Sequence, residues 1–198
     1  MLKELVMKEF KTLGYAERFL DLKKAASKEN FNRRSLREEV PNQKDTRIVV
    51  GVYDILNDVP GFMDKEIFFR YYQLIPDVLE SIKAEYDYKG VEIMSLVLVK
   101  LKANGIIDEH IDEDGMYSET HRVHIPLITN NKCVFTVGQE TYTMSEGEIV
   151  EINNCIPHGV VNGDADRVHL IMDVLGFKYE YNENLLDNPV PDNFYIKE

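Results

Sequence analysis

His110-Ile111-Asp112 and the distant His158 are the residues of this chain best suited to chemistry. All five histidines fall between residues 110 and 169. A His-x-Asp pair converges an imidazole and a carboxylate from one local segment, and a second histidine from a distant strand completes a two-histidine, one-carboxylate set. Such a set holds Fe(II) on one face and leaves the opposite face free for substrate and oxygen. Downstream, Arg167 presents a planar fork that can take a carboxylate bidentately. Each residue also has a plainer reading. His110 can be incidental to a solvated acidic loop of Glu109, Asp112, Glu113 and Asp114. His158 can be a surface-turn histidine, and Arg167 can pair with Asp164, Asp166 or Asp173 as an ordinary salt bridge.

Alternation in two segments is a second line of evidence. In Arg122-Val123-His124-Ile125-Pro126-Leu127, Arg and His fall on one face of a strand and Val, Ile and Leu on the other. In Arg167-Val168-His169-Leu170-Ile171-Met172-Asp173, Arg167, His169 and Asp173 share a face opposite Val168, Leu170 and Met172. Two strands that each present Arg-x-His on one face suit a polar, anion-binding cavity. The competing reading is a pair of edge strands with these residues turned to solvent.

These residues need a scaffold of strands. From Val91 onward, short β-like runs cover 91–100, 122–129, 132–137, 140–144, 149–152, 159–162 and 167–175. Turn sequences separate them, among them Ala103-Asn104-Gly105, Thr129-Asn130-Asn131, Val137-Gly138, Ser145-Glu146-Gly147 and Asn162-Gly163-Asp164. His110 follows the first of these turns and precedes a loop over 113–120. Gly147 to Asn162 reads as turn, strand, Pro157-His158 and return strand, a hairpin that carries its histidine at the mouth of a barrel. The spacing predicts a mainly β protein with flanking helices: a double-stranded β-helix (a cupin-like jelly roll) with an N-terminal helical region.

That region spans 1–90, with one barrel strand at 46–53, before a core over 91–178 and a tail over 179–198, all in one compact domain. Leu2, Leu5, Val6, Phe10 and Leu13 fit a helical stripe, and 16–28 a second helix. Polar residues 30–44 read as a loop, and 64–86 as a helix with a buried face.

Composition narrows the function classes. The 198 residues carry a formal charge of -12, from 23 Lys+Arg against 35 Asp+Glu. That field repels phosphate backbones and argues against nucleic acid. The basic cluster Asn32 to Arg37 reads as a solvated helix face or loop. Two cysteines, Cys133 and Cys155, make no disulfide framework. No apolar run reaches the length of about 18 residues that a membrane helix needs, and no secretory leader opens the chain. The expectation is a soluble cytoplasmic protein.

The stretch from Thr46 to Asp173, most closely from Gly105, resembles the aspartyl/asparaginyl β-hydroxylase family. These are Fe(II)- and 2-oxoglutarate-dependent oxygenases on a double-stranded β-helix. The resemblance rests on His110-Ile111-Asp112, on Arg122 to Asn130, on Gly147-Glu148 with Asn153-Asn154, on His158, and on Asp166 to Asp173, in this order and spacing. The segment around His158 also resembles the second motif of cupins. The resemblance implies that His110 and His158 ligate iron, with Asp112 completing the triad where well-known animal members carry a glycine. It implies that Arg167 holds the far carboxylate of 2-oxoglutarate, and that Arg122 and His124 sit at a co-substrate or substrate carboxylate. His124 as a metal ligand beside His158 is an alternative. The family's hydroxyl residue on the 2-oxoglutarate tail has no match here, leaving Ser95 and Tyr53 as candidates. The implied reaction uses O2 to hydroxylate an unactivated C–H of an amino acid, or of an Asp/Asn-type residue in a peptide, releasing succinate and CO2. The rival from another class is a cupin-like protein that binds a metal or small ligand without oxygen chemistry; two arginines placed for a dicarboxylate argue against it.

Overall fold

The computed structural model describes residues 7–10, 15–28, 46–53, 71, 73, 75–112 and 118–178. Among the described residues, ten strands form two antiparallel sheets. The strands are β1 (Met7–Phe10), β2 (Thr46–Tyr53), β3 (Gly90–Leu101), β4 (Ile106–His110), β5 (His121–Ile128), β6 (Val134–Val137), β7 (Glu140–Tyr142), β8 (Ile149–Ile152), β9 (His158–Val161) and β10 (Arg167–Phe177). The larger sheet has the order β1-β8-β5-β10-β3-β2, and the smaller β4-β9-β6-β7. Among the described residues, helices α1 (Tyr15–Ala26) and α2 (Pro76–Glu85) accompany them. The double-stranded β-helix expected from the sequence is the architecture observed. Among the described residues, no helix is long and apolar enough to cross a membrane.

Alternation along the strands divides the larger sheet into two different faces. Leu96 and Leu98 of β3, Val123, Ile125 and Leu127 of β5, and Leu170 and Met172 of β10 point outward. There they pack with Leu22 and Ala26 of α1 and with Val78 and Ile82 of α2. Each such aliphatic side chain contributes about 1.5–3 kcal/mol of burial. The inner face carries Leu101, Val150 and Ile152, which meet Phe135, Val137 and Val160 of the smaller sheet. Arg122, His124, Arg167, His169 and Asp173 share that inner face by the same alternation, so the polar residues point between the sheets.

Three expectations are corrected. The helical stripe assigned through Phe10 gives way at 7–10 to strand β1, paired antiparallel to β8 with Met7 opposite Ile152 and Phe10 opposite Ile149. Backbone pairing with an available sheet edge outweighs a short, ambiguous apolar pattern. The long helix over 64–86 does not run through its middle: Tyr71 is helical, Gln73 lies in a turn, and α2 begins anew at Pro76. Proline has no N–H for the preceding turn and suits the first helical position. Finally, His110 ends a strand of its own, β4. β4 is an edge strand paired only with β9, mostly exposed, so its sequence shows no apolar alternation. Leu2, Leu5, Val6, Leu13, the loop over 30–44 with its basic cluster, residues 64–70 and 113–117, and the tail over 179–198 lie outside the described residues.

Candidate active site and metal centre

Strands β4 and β9 run side by side and bring His110 directly opposite His158. The imidazole rings lie 4.3 Å apart between centroids. Gly159 permits this approach: a Cβ there would stand 3.0 Å from the Ile107 carbonyl oxygen and 3.2 Å from the Glu109 nitrogen. Asp112, just past β4, is tied by its N–H to the Asn154 carbonyl oxygen at 3.1 Å. That bond fastens it to the turn leading into β9. One Asp112 oxygen lies 3.7 Å from His110 Nε2 and the other 3.7 Å from His158 Nε2. The three residues' ligand atoms all fall within 4.8 Å of one another, and His124 is outside that group.

The tautomers follow from the second nitrogen of each ring. His110 Nδ1 lies 2.8 Å from the Asp108 carbonyl oxygen, and His158 Nδ1 lies 3.0 Å from the Ile156 carbonyl oxygen. A carbonyl only accepts, so each Nδ1 carries a proton, and in the neutral ring this tautomer leaves the Nε2 lone pair toward Asp112. Burial, with the neighbouring His110 and Arg122 lowering it further and the Ile156 carbonyl opposing, takes the His158 pKa down to about 4. At neutral pH the ring is therefore an unprotonated donor. Two bare imidazole nitrogens and a carboxylate fit a divalent first-row metal.

Arg122 is engaged by two carboxylates. It stands across the β5–β10 pair from Asp173, with Nε donating to Oδ1 at 2.8 Å and Nη2 to Oδ2 at 3.1 Å. Its Nη1 donates to Asp112. The guanidinium thus bridges a carboxylate of the metal cluster and a fully buried carboxylate behind it. Asp173 had been placed on the correct face by alternation, but its partner is set by cross-strand register.

Arg167 is the reverse case. It is 1% exposed, and its Nε and Nη1 have no hydrogen-bond partner among the described residues. The three carboxylates that offered a plain salt bridge are all engaged elsewhere. Asp164 pairs with Lys132, Asp166 with Lys100, and Asp173 with Arg122. Burial pulls the Arg167 pKa down to about 10, which still leaves the side chain cationic at pH 7. Its guanidinium lies 5.0 Å from the centroid of Phe135, a residue the motif reading passed over. A buried guanidinium without an anion is strongly unfavourable, so the position calls for an anionic ligand.

His124 and His169 share the inner face of the larger sheet with Arg122 and Arg167. Both are buried, and neither ring nitrogen of either has a partner among the described residues. Ser95, one candidate for the missing hydroxyl, is opposite Asp173 on β3, whereas Arg167 is opposite Leu101. Six residues of strand, about 20 Å, separate those rows, so Ser95 belongs to the metal end. Tyr53 stands opposite Ser95 in the same row.

The sequence model of the family described as Aspartyl/Asparaginyl beta-hydroxylase matches residues 63–176. The chain belongs to that family. This hydroxylase-family protein is accordingly a 2-oxoglutarate-dependent oxygenase. Solved structures agree on the fold at low sequence identity. An oxidoreductase of the 2OG-Fe(II) oxygenase family from Burkholderia pseudomallei shares 11% identity at a TM-score of 0.66, over 91% of each chain. HygX from Streptomyces hygroscopicus, with nickel and 2-oxoglutarate bound, shares 10% identity at a TM-score of 0.55, over 88% of this chain and 85% of that one. The viral collagen prolyl hydroxylase of Paramecium Bursaria Chlorella virus-1, in complex with 2OG, shares 11% identity at a TM-score of 0.53, over 88% and 98%.

Proposed function

We propose that this hydroxylase-family protein holds Fe(II) at His110, Asp112 and His158 and binds 2-oxoglutarate with its far carboxylate on Arg167. The reading takes an unactivated C–H of an amino acid, or of an Asp/Asn-type residue in a peptide, as the group hydroxylated, with succinate and CO2 released. The observation that carries it is the buried Arg167, whose Nε and Nη1 have no partner among the described residues while Asp164, Asp166 and Asp173 are paired elsewhere.

When bound, the metal and 2-oxoglutarate supply the oxygen-activating chemistry. The chain's own residues bind and orient. His110 and His158 present their Nε2 lone pairs because backbone carbonyls hold their Nδ1 protons. Arg122, kept in place by Asp173, would turn its Nη1 from Asp112 toward a substrate or co-substrate carboxylate once Asp112 serves as a ligand. His124, unprotonated in its dry setting, stands beside it as a neutral partner. Phe135 and the walls around Arg167 exclude water, which strengthens the guanidinium's hold on an anion.

The test is spectroscopic. Adding Fe(II) and 2-oxoglutarate without oxygen should produce the visible charge-transfer band of a chelated keto acid. His110→Ala should abolish the band, and Arg167→Ala should demand much more 2-oxoglutarate to reach it. Metal binding with no band would overturn both assignments.

A further inference from the structure

The Arg167 pocket holds one more unsatisfied group than a salt bridge to a carboxylate would use. A carboxylate has about four lone-pair sites, and a bidentate arginine takes two of them. A dry pocket that left the others bare would bind its anion weakly. Another donor should therefore stand close to Arg167, buried and without a partner of its own. Ser95 is at the far end of the sheet, in the row of Asp173.

His169 meets the requirement. It shares the inner face of β10 with Arg167, two residues away, so the two side chains emerge about 6.6 Å apart on one side of the strand. Both lie against the same ring. Phe135 stacks on the His169 imidazole at 5.6 Å between centroids and 16° between planes, and the Arg167 guanidinium lies 5.0 Å from its centre. His169 is 0% exposed, and neither Nδ1 nor Nε2 has a partner among the described residues. His124 also meets Phe135, edge-on at 5.6 Å and 81° between planes, but it stands opposite Ile171, four residues along β10 from Arg167. His169 is thus the histidine at the Arg167 end.

We propose that His169 is the second anchor of the co-substrate tail, donating one ring N–H to the carboxylate that Arg167 holds. The inference rests on the reading of Arg167 given above. It assigns to an imidazole the place that the sequence comparison left open for a hydroxyl.

Two keto acids separate this proposal from its alternatives, because only one has a distal carboxylate. Binding of 2-oxoglutarate and of 2-oxobutyrate to the Mn(II)-loaded protein is measured by calorimetry without oxygen. The variants are His169→Phe, His169→Leu and His169→Gln, with Arg167→Met as reference. His169→Phe and His169→Leu should bind 2-oxoglutarate about tenfold more weakly and 2-oxobutyrate as the parent does. His169→Gln keeps an N–H donor and should recover most of the loss. The melting temperature of the metal-free Phe variant should stay level or rise, since it removes a buried polar ring that has no partner in the free protein; a purely structural histidine would lower it. If Arg167→Met abolishes the preference for the dicarboxylate while His169→Phe and His169→Leu leave it intact, the anchor role of His169 is wrong and the Arg167 assignment stands. If the parent itself shows no preference, the Arg167 reading fails and this inference with it.

Discussion

Arg122 and Asp173 face each other across the β5–β10 pair, joined by two N–H···O bonds of 2.8 and 3.1 Å. Asp173 is 1% exposed and touches the metal cluster only through the arginine, whose remaining arm reaches Asp112. Asp173 therefore governs how firmly Arg122 holds Asp112, a carboxylate of the candidate metal centre.

Asp173→Ala strands most of a buried positive charge, and the expected loss is about 3–5 kcal/mol of stability in urea unfolding. Asp173→Asn keeps the shape while withdrawing the charge, so Arg122 falls back on Asp112 alone. Competition titration with Mn(II) should then show affinity lower by about tenfold, as for other residues that orient a ligand from behind. Unchanged affinity in the Asn variant would mean that Arg122 does not compete with the metal.

Gly159 should prove as sensitive as a ligand although it contributes no donor atom. A methyl group at this position meets β4 backbone rather than a movable side chain. It pushes β4 outward by a few tenths of an ångström beside His110. Gly159→Ala should fold, since β9 otherwise pairs normally with β6, yet bind metal about tenfold more weakly. A variant with parental metal affinity would show that the β4–β9 approach is not what sets the His110–His158 spacing.

Acid should destabilise the metal-free protein in a defined window. Burial, followed by the charges of Arg167 and Arg122 and by His158, holds the His124 pKa well below 6.5; burial, then Arg167 and His124, does the same to His169. The unfolded chain protonates these rings as pH falls below about 6.5, while the folded chain does not. Their contribution to stability is therefore complete above 6.5 and is lost as pH drops toward each ring's folded pKa. Each ring adds a slope of up to about 1.4 kcal/mol per pH unit in that window. Urea midpoints measured from pH 7.5 to 5 should fall accordingly, and His169→Phe should flatten the slope by one ring's share. An identical slope in that variant would mean that His169 takes up its proton in the folded state.

The three residues that the fold gathers into a candidate metal centre were legible in the linear chain. His-x-Asp with a distant histidine depends on residue type and on a two-residue spacing that any extended segment preserves. The same holds for the shared face of Arg167, His169 and Asp173, because alternation is a local property of a strand. Turn residues bounded the core strands within one or two positions. Helix α1 and strand β2 were likewise readable from local pattern.

Which residue lies across from which was a matter for the tertiary structure. Period-two alternation says which side chains share a face, but no local rule says that β10 meets β5 with Asp173 against Arg122, or that β4 meets β9 with His110 against His158. Edge strands β1 and β4 escaped detection because pairing with a neighbour, not an apolar pattern, holds them. The sequence alone determined the set of chemically able groups and the faces they occupy. Only the packing of the two sheets decided that Asp173 neutralises Arg122 and leaves Arg167 buried without an anion among the described residues, because pairing is a contest among charges that only the folded chain brings within reach.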